Sequence, residues 1–349
     1  MKRLRVVALA IGLITFLPAS PAGARTNLGV TVGDGEERLA VVQQDLHRVD
    51  LLRIRGATAK VVQRLGRRGT EPGELLLPEG AFIAADRTVW VSDSGNHRLQ
   101  RFDRTGKSRQ VVGDLGRFGH FSQPSGIAPG PDGRIYVADT GQDRIVVLDR
   151  RGRAVAAWGE SGAAPGQLSR PHGVAVSRDG TRVYVIDLVL PRIQVFTSEG
   201  RFIEGTPEGD RAIVNATAIA TATTTAGDEA VYLTDETLGR VTKFSRDLRP
   251  LTAWGGPHGS APGSFYNPQG VAVDRTERVW VVDYGNHRGE TFTSSGRFLF
   301  AFEEGQIGVR KSTRARWSPR WVVLIPAVIV WCGVVLARRG SGRTVREAV

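Results

Sequence analysis

Trp90-Val91-Ser92-Asp93-Ser94-Gly95-Asn96-His97-Arg98 and Trp280-Val281-Val282-Asp283-Tyr284-Gly285-Asn286-His287-Arg288 are two copies of one phrase. Its skeleton, an apolar run, an aspartate, four residues and an arginine, returns as Asp139…Arg144, Asp187…Arg192 and Asp235…Arg240. A sixth copy, Val41-Val42-Gln43…Arg48, keeps the spacing with glutamine for aspartate. Successive arginines are 50, 46, 48, 48 and 48 residues apart. A fixed period of this size marks a repeat architecture, in which one unit cannot bury its apolar face alone and must stack on its neighbours.

Other columns keep the register. Pro-x-Gly precedes the aspartate at Pro78-Glu79-Gly80, Pro124-Ser125-Gly126, Pro171-His172-Gly173 and Pro268-Gln269-Gly270. The first and fifth units read Asn27-Leu28-Gly29 and Asn215-Ala216-Thr217 there. Within a unit the apolar residues alternate, with glycine-containing turns between short runs such as Arg134–Asp139 and Arg144–Asp149. That pattern predicts four short strands per unit. Six such units make an all-β chain, a six-bladed β-propeller of four-stranded antiparallel blades over residues 25–309. Blade six is expected to be complete from its own strands. Blade one is expected to use residues 28–66, with ring closure by face-to-face packing and no strand exchanged.

The columns together, P-x-G followed by (W/Y)-V-x-D-x-G-N-H-R, resemble those of NHL-repeat proteins over roughly residues 28–305. The match is carried by units two, three, four and six. The resemblance implies a propeller, in agreement with the strand count, and leaves function open, because one propeller frame serves binding, scaffolding and catalysis. One similar branch, peptidyl-α-hydroxyglycine α-amidating lyase, gathers inner-strand histidines on a metal. Pro171-His172 matches such a context, but the equivalent positions are Leu28, Glu79, Ser125, Ala216 and Gln269. Glu79 and His172 belong to non-adjacent blades, too few and too far apart for the three or four ligands of a zinc site. No catalytic residue, metal or cofactor is therefore expected, and an exported lyase or lactone-type hydrolase is the alternative function.

The chain has 349 residues and a formal charge of +12, and the charge sits at its ends. Three basic residues lie in the first five; residues 310–349 hold nine basic residues and one acid. Of the 47 basic and 35 acidic residues, the body thus keeps 35 and 34, a net +1 that draws no polyanion. No nucleic-acid partner is expected. Cys332 is the single cysteine, so there is no intrachain disulfide.

Both ends read as targeting segments. Lys2–Arg5, the apolar Val6–Leu17 and Ala22-Gly23-Ala24 form a signal peptide over 1–24. Trp321–Ala337 is seventeen residues without a charge, a helix of about 25 Å, flanked by Arg320 and Arg338. The expected layout is a basic juxtamembrane linker (310–320), a transmembrane helix (321–337) and a short basic cytoplasmic tail (338–349). The propeller then stands on the extracytoplasmic side of the cell membrane, single-pass, as a ligand- or protein-binding or scaffold module.

Candidate site residues follow from the columns. The pairs Asp93–Arg98, Asp139–Arg144, Asp187–Arg192, Asp235–Arg240 and Asp283–Arg288 are expected to be structural, each a bidentate bridge fixing its b–c loop. The x of Pro-x-Gly begins the innermost strand, so Glu79, Ser125, His172 and Gln269 are expected at the channel mouth as the polar centre of a binding face. His97 and His287 form part of its rim. The d–a and b–c loops share that face, where an unknown protein or small ligand would dock.

Overall fold

The Asp-x4-Arg spacing is a hairpin register. In every unit the two residues lie directly opposite across the b–c hairpin: Gln43 with Arg48, Asp93 with Arg98, Asp139 with Arg144, Asp187 with Arg192, Asp235 with Arg240, and Asp283 with Arg288. The intervening residues form a tight turn whose last member takes a left-handed backbone at His47, His97, Asp143, Gly239 and His287 (φ 51–59°).

The computed structural model describes residues 38–56, 58–207, 212–224 and 227–303. They build an all-β, six-bladed propeller of antiparallel sheets. Blade two runs Gly80–Ile83, Val89–Asp93, Arg98–Phe102 and Ser108–Val112 as strands a to d from the axis outward. Blade three is Pro124–Pro129, Ile135–Asp139, Arg144–Leu148 and Ala154–Trp158. Blades four and five begin at Pro171–Val176 and Ala216–Thr223. Blade six is complete from its own strands, Pro268–Val273, Val279–Asp283, Arg288–Phe292 and Phe298–Glu303. Blade one shows three strands among the described residues, Arg38–Gln43, Arg48–Arg55 and Thr58–Leu65.

The expected inner strand of blade one lies outside the described residues, and with it the question of strand exchange. So do the signal segment 1–24, the linker 310–320, the apolar span 321–337 and the tail 338–349. Among the described residues no helix is long and apolar enough to cross a membrane.

The core is a set of layers between blades. Each of six apolar clusters joins two successive blades; Trp280, Val282 and Phe302 of blade six meet Leu39, Val41 and Leu52 of blade one. The repeat's alternating residues face these layers because each fully buried Val, Leu, Ile or Phe contributes about 1.5–3 kcal/mol. Inner strands approach closely where the Pro-x-Gly glycine falls. A Cβ on Gly126 would lie 2.2 Å from the backbone oxygen of His172 in the next blade.

Candidate functional site at the channel mouth

Strand a of each blade lines the axis, and the x of Pro-x-Gly sits at its start. The imidazole Nε2 of His172 lies 3.7 Å from Glu79 Oε2, with the side chains 10% and 23% exposed. The separation by a whole blade was expected to keep these two apart. The structure corrects this: both side chains are long, blade three between them carries only Ser125, and the pair meets across the channel. Gln44 Nε2 donates to Glu79 Oε1 at 3.4 Å, adding a b–c loop residue of blade one. Gln269 is 3% exposed, and its Oε1 has no hydrogen-bond partner among the described residues. Ser125 is fully buried, its hydroxyl 2.6 Å from Thr140 Oγ1 and 3.0 Å from the His172 carbonyl oxygen, so it ties blade three to blade four.

Behind Glu79 the channel holds a cavity of about 240 Å³ whose walls mix Ala81, Ile127, Val174, Ile219 and Val271 with Thr217 and Thr221. It shares Val176, Thr221 and Val273 with a second cavity of about 640 Å³, lined by Arg178, Glu229, Asp274 and Arg275. The axis thus runs from the end holding the Glu79–His172 pair to an end lined by arginines and acids. Among the described residues no group of three or more His, Cys, Asp or Glu side chains is arranged to hold a metal ion.

The Asp–Arg pairs close at 2.7 Å (Asp93–Arg98), 3.0 Å (Asp139–Arg144), 3.2 Å (Asp187–Arg192) and 3.8 Å (Asp283–Arg288). Asp235 faces Arg240 in register and accepts from the Val214, Asn215 and Leu238 amides. These four pairs are not bidentate, because each guanidinium reaches one carboxylate oxygen only. Its other donors go to carbonyls of the d–a connection: Glu71 and Glu74 for Arg98, Phe118 and His120 for Arg144. The carboxylates take amides of the same connections, Leu76 for Asp93 and Ser122 for Asp139. The motif therefore staples the blade-to-blade connector to the b–c loop, rather than the b–c loop alone.

The Asn-His of the signature extends this staple. Asn96 and Asn286 donate to the Gly69 and Gly259 carbonyls. His97 is exposed at the rim, and its Nδ1 accepts the Gln123 amide at the start of the next blade. His47 Nδ1 and Asp143 Oδ1 accept the Leu77 and Arg170 amides in the same way. His287 is half-buried, its Nδ1 without a hydrogen-bond partner among the described residues.

Two functional columns escaped the sequence reading. Ser94 and Thr140, directly after the aspartate, donate to the Pro124 and Pro171 carbonyls of the following blade. A polar residue two after the arginine holds the connector glycine: Gln100 accepts the Gly73 amide, Gln194 that of Gly166 and Glu290 that of Gly263. Its signal was available in Arg-x-(Gln/Glu), within a strand otherwise apolar.

Burial dominates the electrostatics of these columns. It pushes the Asp139 and Asp187 carboxyls up against the pull of their hydrogen bonds and arginines. Glu290, fully buried, is pushed up to about 7 by burial, with the Gly263 amide and Arg288 opposing.

The NHL repeat family matches residues 121–148 and 265–288, in blades three and six. NHL repeat-containing protein 3 of Homo sapiens is 36% identical over 89 residues, 23% of this chain and 25% of the human protein. The chain therefore spans about a quarter of the length of that curated relative. A catalytically inactive variant of virginiamycin B lyase from Staphylococcus aureus, crystallised with quinupristin, superposes with a TM-score of 0.56 at 15% identity, over 82% of this chain and 87% of that one. A gluconolactonase of Xanthomonas campestris gives 0.55 at 16%, over 74% and 84%. At such identities the likeness concerns the fold. The chain is thus a six-bladed β-propeller in which residues 121–148 and 265–288 match the NHL repeat.

Proposed function

We propose that this propeller is a membrane-anchored, extracytoplasmic binding module whose ligand or protein partner docks on the face carrying the d–a and b–c loops. The carrying observation is the meeting of Glu79 and His172 at the mouth of the channel. Exposed apolar side chains on loops of the same face support it: Leu77, Val189, Val214 and Tyr266, between 42% and 59% exposed. Apolar residues around a polar centre suit a docking surface better than a solvated one. Export and anchoring rest on the sequence of residues 1–24 and 321–337.

The test is capture from the native envelope by the full chain, beside the double variant Glu79→Ala/His172→Ala. Loss of a buried polar contact costs about 1–3 kcal/mol, a five- to 150-fold change in affinity. The double variant should lose the captured species at nearly unchanged thermal stability. Normal capture by that variant, with loss on substitution in the Pro131-Asp132-Gly133 turn, would place the functional surface on the opposite face.

A second reading is an exported lyase or lactone-type hydrolase. The observation favouring it is the same carboxylate–imidazole pair, since a histidine beside a carboxylate is a competent general base. Ring opening of lactone probes by the full chain, abolished in His172→Ala, would establish it; an unchanged rate in that variant would remove it.

A further inference from the structure

We propose that Glu290 is a proton-operated latch on the connector between blades five and six, holding it down when protonated and loosening it when ionised. The other blades show what the latch replaces. In blades two and four the residue two after the arginine is Gln100 or Gln194. Its amide oxygen accepts the Gly73 or Gly166 amide, and its NH2 group donates to the carbonyl of the next residue, Glu74 or Gln167. Blade six keeps the first bond, since Glu290 Oε1 accepts the Gly263 amide at 3.2 Å. Glu290 Oε2 takes the place of the glutamine nitrogen; it is buried and has no hydrogen-bond partner among the described residues. The carbonyl corresponding to those of Glu74 and Gln167 is that of Ser264. A protonated carboxyl has the O–H donor that repeats glutamine's second bond, whereas a carboxylate has acceptors only.

The staple of blade six is displaced in the direction this substitution demands. Arg288 Nε stands 3.8 Å from Asp283 and has no hydrogen-bond partner among the described residues. The same pair closes at 2.7, 3.0 and 3.2 Å in blades two, three and four, where the residue two after the arginine is Gln100, Val146 and Gln194. Arg288 NH2 is divided between the Ala261 and Ser264 carbonyls, both at 2.8 Å, and Glu290 Oε1 at 3.0 Å. Blade one shows where such a division leads: Gln43 replaces the motif aspartate, and Arg48 pairs instead with Asp50, two residues on, at 2.9 Å. In blade six both acids are present, so Asp283 and Glu290 compete for one arginine.

Two buried carboxylates against one guanidinium leave an uncompensated charge, and a proton on one of them removes it. Glu290 is the one whose carboxyl burial pushes up to about 7, with the Gly263 amide and Arg288 opposing and the Asp283 charge adding. Those two side chains are the charged groups acting on it. The connector meets it through the Gly263 backbone, and strands b and d place Val281 and Ala301 opposite it. The histidines of this corner are engaged elsewhere, His258 with the Thr237 carbonyl and Tyr266, His287 with Tyr284. Above neutral pH the carboxylate draws Arg288 from the Ala261 and Ser264 carbonyls and offers the Ser264 carbonyl no donor. The connector, residues 256–267, then loses bonds that its counterparts in blades two and four keep. It carries exposed Tyr266 on the proposed docking face, which places that face under proton control.

The experiment is amide hydrogen exchange of the full chain at pH 6 and pH 8, each rate divided by that of an unstructured peptide at the same pH. Peptides covering 256–267 are compared with those covering the connectors of blades two and four, 66–77 and 159–170. In the parent chain the protection of 256–267 should fall about fivefold or more from pH 6 to pH 8, while the other two connectors hold. Glu290→Gln, which restores the residue of blades two and four, should stay protected at both pH values. His258→Gln should keep the parent's fall. Equal protection of 256–267 at both pH values in the parent, or a fall that survives Glu290→Gln, overturns the latch; so does a matching fall in all three connectors. The readout needs no ligand, so its outcome stands apart from whether the docking face binds a partner.

Discussion

Asp139 has no solvent contact and divides its oxygens between the Ser122 amide and the side chains of Gln142 and Arg144. Removing it leaves Arg144 with its two carbonyl acceptors but no counter-charge. Breaking a buried pair from one side costs about 3–5 kcal/mol, and the carbonyls that remain put Asp139→Ala near 3. Chemical denaturation should show that loss while the channel-mouth ligand still binds; an unchanged midpoint would mean that the connector needs no staple. Glu290 offers a signed test at the same scale. Burial holds its folded value at about 7, above that of an unfolded glutamate. Between the two values the folded chain keeps a proton that the unfolded chain has released, so stability falls as pH rises through that window and is level above it. Up to about 1–3 kcal/mol is involved, given the opposing Arg288 contact at 3.0 Å. Glu290→Gln should melt higher than the parent at pH 8 and about equally at pH 4, read by thermal scans at both.

At the scale of strands and loops, the sequence reading reached the elements but not their joints. Alternating apolar runs and glycine turns are local signals, and they placed strands b, c and d within a residue or two. The joints are long-range: whether Arg98 finds Glu71, or Ser94 finds Pro124, depends on how one blade leans on the next. Period alone carries no such information. The Pro-x-Gly column shows the limit well, because its glycine was visible while its cause, the carbonyl of His172 against Gly126, was not. Gly126→Ala forces that contact apart, and overpacking of this kind costs about 1–3 kcal/mol. The displaced backbone carries His172, so the variant should lose both stability and ligand capture. Asp139→Ala should lose stability alone. Melting and binding measured on both variants separate the two; full binding by Gly126→Ala would show that strand a of blade four does not set the mouth.

For the propeller as a whole, the number of blades was legible because six copies of one register can bury their faces only in each other. The meeting of Glu79 with His172 was not legible, since sequence order gives position around a ring and not reach across it. Charge behaves similarly: a chain of +12 invites a nucleic-acid reading until the charge is located. Residues 310–349 carry nine basic residues and one acid, whereas the body is near neutral, with many arginines engaged in pairs such as Arg182–Glu204 and Arg246–Asp179. Polyanion binding depends on local unpaired cations and weakens as salt screens them. The full chain should therefore be held by a heparin column at pH 7 and low salt, and a chain ending at residue 309 should pass through it. The difference should shrink as ionic strength rises from ~0.05 to ~0.2 M. Retention of the shortened chain at the same salt would locate a basic patch on the propeller and reopen the reading that its near-zero net charge argues against.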